Sequence, residues 1–500
     1  MRTLVADLTT TQKRTSLSPL VKIVLTQGVN SYTYTQTRIM RITHIEEPYN
    51  QVADVVLNNG DKTLTSLDFK GYKGVISWGM TDINGVDRFS DCAPLWVIGS
   101  QFNSWMGGLT LTLSLAGTPN RLTEDRARDP FMPTSDDIRT LKDFLTEVAK
   151  GVLPNWATST AYSADDLVIP EAATYTSYIY KCTTAGTSGS SAPTWPTTIG
   201  NTVADNTAVW TCVGKELYVY SLTPSYTITF DSEDALLDSF KPADSFSIGL
   251  NQSRLSVIQW LLSWTKCSFR VEDDDAIHIF QPTISGTTFD YEYSLVTGEH
   301  LFFSKALRNR IVIPNYVVVT ATGTTFYSGF AEDTESSDLL EIREYHRLPI
   351  TSDAQADAIA SAQLEKYKLD ADMGAGNVPV NVGQEVYDYV KITDDRENDN
   401  RVGNILYIKR TFNPRTSAPS ERWGMEIRFG KGMGGNLMGT SLPGTTPGTT
   451  EEDSMSSLVK QLNLKFQEIW DAIFSKELDR LHVTNRLRIP VGTDMFDREP

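Results

Sequence analysis

Five aromatic residues, Trp156, Tyr162, Tyr180, Trp195 and Trp210, crowd into residues 155–214, a stretch that lies between two β-patterned regions. A rigid indole or phenol ring can bury the apolar C–H face of a pyranose while neighbouring polar groups take its hydroxyls, so the chemistry these residues offer is sugar contact without catalysis. The run from Ala185 to Pro196 supplies small, turn-forming residues that would leave a ring on the surface with little around it. Trp195, bracketed by Pro193 and Pro196, is the ring best placed to face a ligand. Trp156 and Trp210 serve a small core equally well.

Catalytic patterns are missing. No phosphate-cradling glycine loop, zinc-protease helix, nucleophile elbow or Cys/His pair of recognisable context occurs. Paired carboxylates for glycoside hydrolysis come from distant strands, and an acidic chain offers many, which leaves a glycan hydrolase as the rival reading. His44, His278, His300, His346 and His482 never fall at short ligand spacing, so no metal centre is expected. The triplet Asp273-Asp274-Asp275 reads as a solvated hairpin tip, and the loop Asp394 to Asn400 lacks the glycine and closing glutamate of a calcium loop. No cofactor is implied.

A net charge of −17 and a pI near 4.8 argue against a nucleic-acid binder, which needs a basic surface. Cys92, Cys182, Cys212 and Cys267 are too few and scattered for a disulfide framework, which suits a reducing cytosol. Cys182 and Cys212 fall in strand-like runs that would be neighbours across a small sheet. The chain shows neither a charged-then-apolar leader nor a membrane-spanning apolar run, so the expectation is a soluble protein outside the Sec route.

The elements that must position these residues are mainly β with α+β parts. Strands are expected around Val21–Leu25, Tyr32–Tyr34, Asp54–Leu57, Gly74–Trp78, Leu95–Gly99 and Leu109–Leu115, the last alternating in strict period two. A closed or nearly closed barrel would hide such edges. A helix is expected over Asp136–Val148. After the insert come strands at Tyr218–Tyr220 and Tyr226–Phe230, a buried helix at Arg254–Trp264, and a hairpin of Ser268–Glu272 with Ala276–Phe280. Further strands are expected at Asn309–Pro314, Tyr316–Thr320, Val386–Ile392, Val402–Ile408 and Trp423–Phe429, with a helix over Asp353–Leu369.

The chain therefore divides into an N-terminal arm (1–16), a first barrel (17–135), a connecting helix (136–154), the insert (155–214), an α+β region (215–304) and a second barrel with a helix (305–430). A Gly/Thr/Pro linker (431–450) and a C-terminal helix and tail (451–500) follow. Met455, Leu458, Leu462, Phe466, Ile469 and Ile473 form one apolar stripe at spacings of three and four, which points to self-association.

The segments Leu20–Leu25, Ile45–Ala53, Ala93–Gly99, Pro379–Val390 with Thr393-Asp394, and Met425–Gly430 resemble the tail hub proteins of tailed bacteriophages. The resemblance implies two tube-like β-barrels per subunit, so that a homotrimer presents six to a sixfold tail tube and adapts it to a threefold tip. It further implies a virion protein assembled in the host cytoplasm. Its partners would be the tail tube or a distal tail protein, a tip or fibre protein through the C-terminus, and DNA or a tape-measure protein in the lumen. Separately, Trp156, Tyr162, Tyr180-Lys181-Cys182, Gly186–Gly189, Trp195 and Trp210 resemble the small carbohydrate-binding modules of chitinases and phage tails, which implies contact with a host surface glycan.

Overall fold

The computed structural model describes residues 1–430 apart from 15–16, 106, 222–223, 295–303, 309–310, 372 and 395–398, and does not describe 431–500. The linker, the stripe Met455 to Ile473 and most of the acidic loop at 394–400 therefore lie outside the described residues. The chain is mainly β with α+β parts. Period-two runs become strands wherever one face is buried: Gly108–Gly117, which contains the strictly alternating Leu109–Leu115, sends Leu111, Leu113 and Leu115 inward.

Most strands expected in two separate barrels share one sheet of 14 strands, while Tyr316–Ala321 lies in a separate sheet with Ser328–Glu332 and Arg343–Leu348; among the described residues no sheet closes on itself. The cause is the long strand Asp399–Phe412. Its first part pairs with Tyr389–Asp394, while its later part pairs on one side with Trp423–Phe429 and on the other with Ile39–Glu47, joining the two β-rich parts. One core lies against this sheet, gathering Ile23, Trp78 and Leu113 from the first part with Val378, Ile408 and Ile427 from the second.

A second core serves the α+β parts. Helices Leu141–Lys150 and Arg254–Ser263 contribute Phe144, Val148, Leu255 and Leu261. Tyr316–Ala321 and helix Asp353–Ala371 add Val317, Val319, Ile359 and Ala360. Ala356 and Ala360, small residues on that helix, are fully buried and permit close approach to the neighbouring strands.

Several expectations are revised at element level. The connecting helix begins at Leu141, capped by Thr140, whose side chain and that of Asp143 exchange hydrogen bonds with each other's backbone. Tyr218–Tyr220 is not a strand. Its alternation arises because Leu217, Val219 and Tyr220 plug the second core, with the Val219 carbonyl accepting from the Arg128 amide. The hairpin Ser268–Val271 with Ile277–Phe280 forms as expected, and parallel to it runs Ile228–Ser232.

Candidate functional site

In the insert, strands Tyr178–Thr184 and Ala208–Lys215 pair and carry Tyr180, Cys182, Trp210 and Cys212 into a small core. Cys182 faces Trp210 and Cys212 faces Tyr180 across the sheet, and both thiols are free. The expected surface position of Trp195 is not what forms: the ring keeps only 6% of its surface exposed. The segment bracketed by the prolines folds back, tied by the Tyr180 hydroxyl, which donates to the Pro196 carbonyl at 2.8 Å. The Trp195 ring centre then lies 4.4 Å from that of Tyr180, 6.0 Å from Trp210 and 6.4 Å from Trp156.

Trp156, Tyr180 and Trp210 are buried too, and Tyr162 is half-buried with its edge against Trp210. Four of the five rings named for ligand contact are thus the hydrophobic core of a module of this size, which has few other apolar residues to bury. Among the described residues of the insert, the exposed large ring is Tyr175, whose hydroxyl donates to Glu216 at 2.6 Å.

Asp205 organises this core. One carboxylate oxygen accepts from the indole N–H of Trp156 at 2.8 Å and of Trp210 at 3.0 Å, and the other accepts from the Gly189 amide at 2.7 Å. In sequence it precedes Asn206, which adopts φ +56°, so it reads as an ordinary turn residue. Gly186 is needed beside it, because a Cβ there would sit 2.4 Å from the Thr207 carbonyl.

A buried charge cluster braces the connecting helix, and one ion pair fastens the insert to it. Arg139, fully buried, donates to Asp137 at 2.5 Å and to Glu147 at 2.6 Å, and Glu147 also accepts from the Leu217 amide. Lys181 of the insert bridges Asp143 at 3.1 Å and Asp165 at 2.9 Å. Ile138 hydrogen bonds through its backbone to Val213, and Leu153, Leu167, Ile179 and Val213 pack beneath.

A second polar cluster sits within the large sheet, where strand Asp399–Phe412 pairs with strand Ile39–Glu47. Arg410 lies opposite His44 in register, is fully buried, and donates to Glu46 and to the Gln384 carbonyl. His44, Glu46 and Cys92 come close enough together to resemble a metal-ligand set, a grouping that sequence spacing did not suggest. Arg410 and Arg2 both act on this cluster, and two guanidiniums oppose a further cation there. Burial holds His44 down to about 4, with Arg410 and Arg2 reinforcing it against the pull of Glu46. Burial alone would raise Glu46, but Arg410, His44 and Arg2 together outweigh it and hold the carboxyl down to about 2.

The sign of the resulting pH dependence follows. Between pH 6.5 and 4 the unfolded chain takes up a proton at His44 that the folded chain refuses, so stability falls as pH falls, by about 3 kcal/mol in all. Below the ordinary glutamate range, Glu46 withdraws further stability as pH approaches 2. Urea titrations from pH 7 to 4 should show this slope, and His44→Gln should flatten it; a variant that keeps the full slope would refute the assignment.

No protein-family model and no curated protein sequence matches this chain. Among solved structures it is similar to a tail protein from Neisseria meningitidis, at 10% identity over 82% of this chain and 96% of that one, with a TM-score of 0.49. It is also similar to a prophage tail protein of 43 kDa from Shewanella oneidensis, at 10% identity over 82% and 98% of the two chains and a TM-score of 0.46. A prophage tail protein from Listeria monocytogenes gives 10% identity over 89% and 99%, with a TM-score of 0.44. These are loose superpositions.

Proposed function

We propose that the chain is a structural subunit of a bacteriophage tail, a hub that trimerises at the tip of the tail tube and adapts the sixfold tube to a threefold tip. The observation that supports this reading most directly is where the hub-resembling segments fall. Leu20–Leu25, Ile45–Ala53, Leu95–Gly99 and Met425–Phe429 lie far apart in sequence and belong to strands of the same sheet. Pro379 ends one further strand of that sheet and Tyr389 begins another. A resemblance scattered along the chain thus gathers in one structural layer, with both ends of the chain contributing to it.

The apolar stripe from Met455 to Ile473 is the proposed trimer seam, and the residues beyond it would reach a tip or fibre protein. The carbohydrate role of the insert is narrowed by its buried rings: contact with a host glycan through this module would fall to Tyr175 and the half-buried Tyr162 and Tyr178. Native mass spectrometry of the full chain should give a species of three times 55.6 kDa, and antibodies to residues 155–214 should decorate the tip of a tail in electron micrographs. A monomer at all concentrations, or label along the tube or capsid, would overturn the hub reading.

A further inference from the structure

A cavity of about 680 Å³ opens where the turn at Glu47–Asn50, the end of helix Arg254–Ser263 and the last turns of helix Asp353–Ala371 meet. Its volume falls among pockets that take a small ligand, roughly 300–1,000 Å³. We propose that this cavity binds a neutral saccharide of one or two rings.

Three observations converge on that class. Flat rings are presented on the wall, where those of the insert are not. Trp260 is half-buried and backed by Trp264 and Phe246 at 5.5 and 5.6 Å, which holds its plane in place. Tyr407 is half-buried and steadied by the Arg428 guanidinium, 4.2 Å from the ring centre. Such rings suit the C–H face of a pyranose.

Carboxylates share the wall with its basic groups, for Glu47, Glu344 and Asp370 line the same cavity. Lys366 donates to the carbonyls of Leu262 and Cys267, and Arg428 pairs with Glu426 at 2.6 Å. The three carboxylates oppose a phosphate or nucleotide, whereas a neutral hydroxyl-rich ring meets no such repulsion. Hydrogen-bonding groups do remain. Gln259 lines the cavity, and Gln363, buried on its wall, has a side-chain oxygen with no hydrogen-bond partner, an acceptor that a hydroxyl would satisfy.

The backbone adds an independent sign. Tyr387, another wall residue, holds φ +71°, a conformation that a bulky residue adopts only where its surroundings enforce it, and one that recurs at ligand clamps.

The proposal does not depend on the tail reading, and its failure would leave that reading untouched. Saturation-transfer NMR and calorimetry on the full chain, with glucose, galactose, N-acetylglucosamine, rhamnose and their disaccharides, should find at least one that binds. Trp260→Ala should weaken that binding at least tenfold, and Phe326→Ala, at an exposed ring outside the cavity, should leave it unchanged. Because Trp260 also supports Phe246 and Trp264, Tyr407→Ala serves as a second variant and should weaken binding severalfold while the melting profile stays cooperative. No response to any sugar, binding of nucleosides or amino acids instead, or a loss that follows Phe326→Ala would overturn it.

Discussion

Replacing Arg410 by methionine is expected to destabilise the protein by about 3–5 kcal/mol, because the change leaves the Glu46 carboxylate buried at the junction of the large sheet without its guanidinium. The Gln384 carbonyl loses a donor at the same time. Methionine nearly matches the volume of the arginine stem, so a cavity contributes little and the loss reports the stranded charge. Chemical denaturation should register it. The double variant Arg410→Met with Glu46→Gln removes both charges and should recover a good part of the loss. An Arg410→Met protein within about 1 kcal/mol of the parent would show that the pair does not hold the two β-rich parts together.

The second large effect is expected at Asp205. Asp205→Ala deprives two buried indole N–H groups and the Gly189 amide of their acceptor, and each buried donor left unsatisfied costs about 1–3 kcal/mol. The insert should lose its fixed aromatic packing, seen as collapse of the near-ultraviolet tryptophan circular dichroism and a red shift of emission. Asp205→Asn keeps one carbonyl oxygen and should lose about half as much. An alanine variant with an unchanged aromatic spectrum would sink the assignment of Asp205 as organiser of this core.

Much of the fold was legible because burial on one face of a strand leaves a period of two, as at Leu109–Leu115, and because Thr140 and Asp143 supply a capping pair. The same alternation misled at Tyr218–Tyr220, where side chains line a core without a ladder. Trp195 shows the limit for a site: its flanking prolines fix the local chain direction, but only the Tyr180 hydroxyl bonding the Pro196 carbonyl decides that the ring turns inward. The joining of the two β-rich parts depends on register between Arg410 and His44, which are remote in sequence, and local pattern carries no trace of it. The cavity is still further from view, because its wall is assembled from the stretches near Glu47, Trp260, Glu344, Lys366 and Tyr407, none of which is unusual by itself.

The attachment of the insert has a mechanical meaning. Its entry near Leu153 and its exit near Val213 pass the same patch, which Lys181 pairing with Asp143, and Ile138 bonding the Val213 carbonyl, tie to a capped helix and the segment before it. A tug on the module would therefore load that ion pair, that hydrogen bond and the apolar patch side by side, since neither strand can peel away alone. Force applied at its outer surface would arrive in the body of the subunit with little lost to bending, as it does through a bracket and not through a tether.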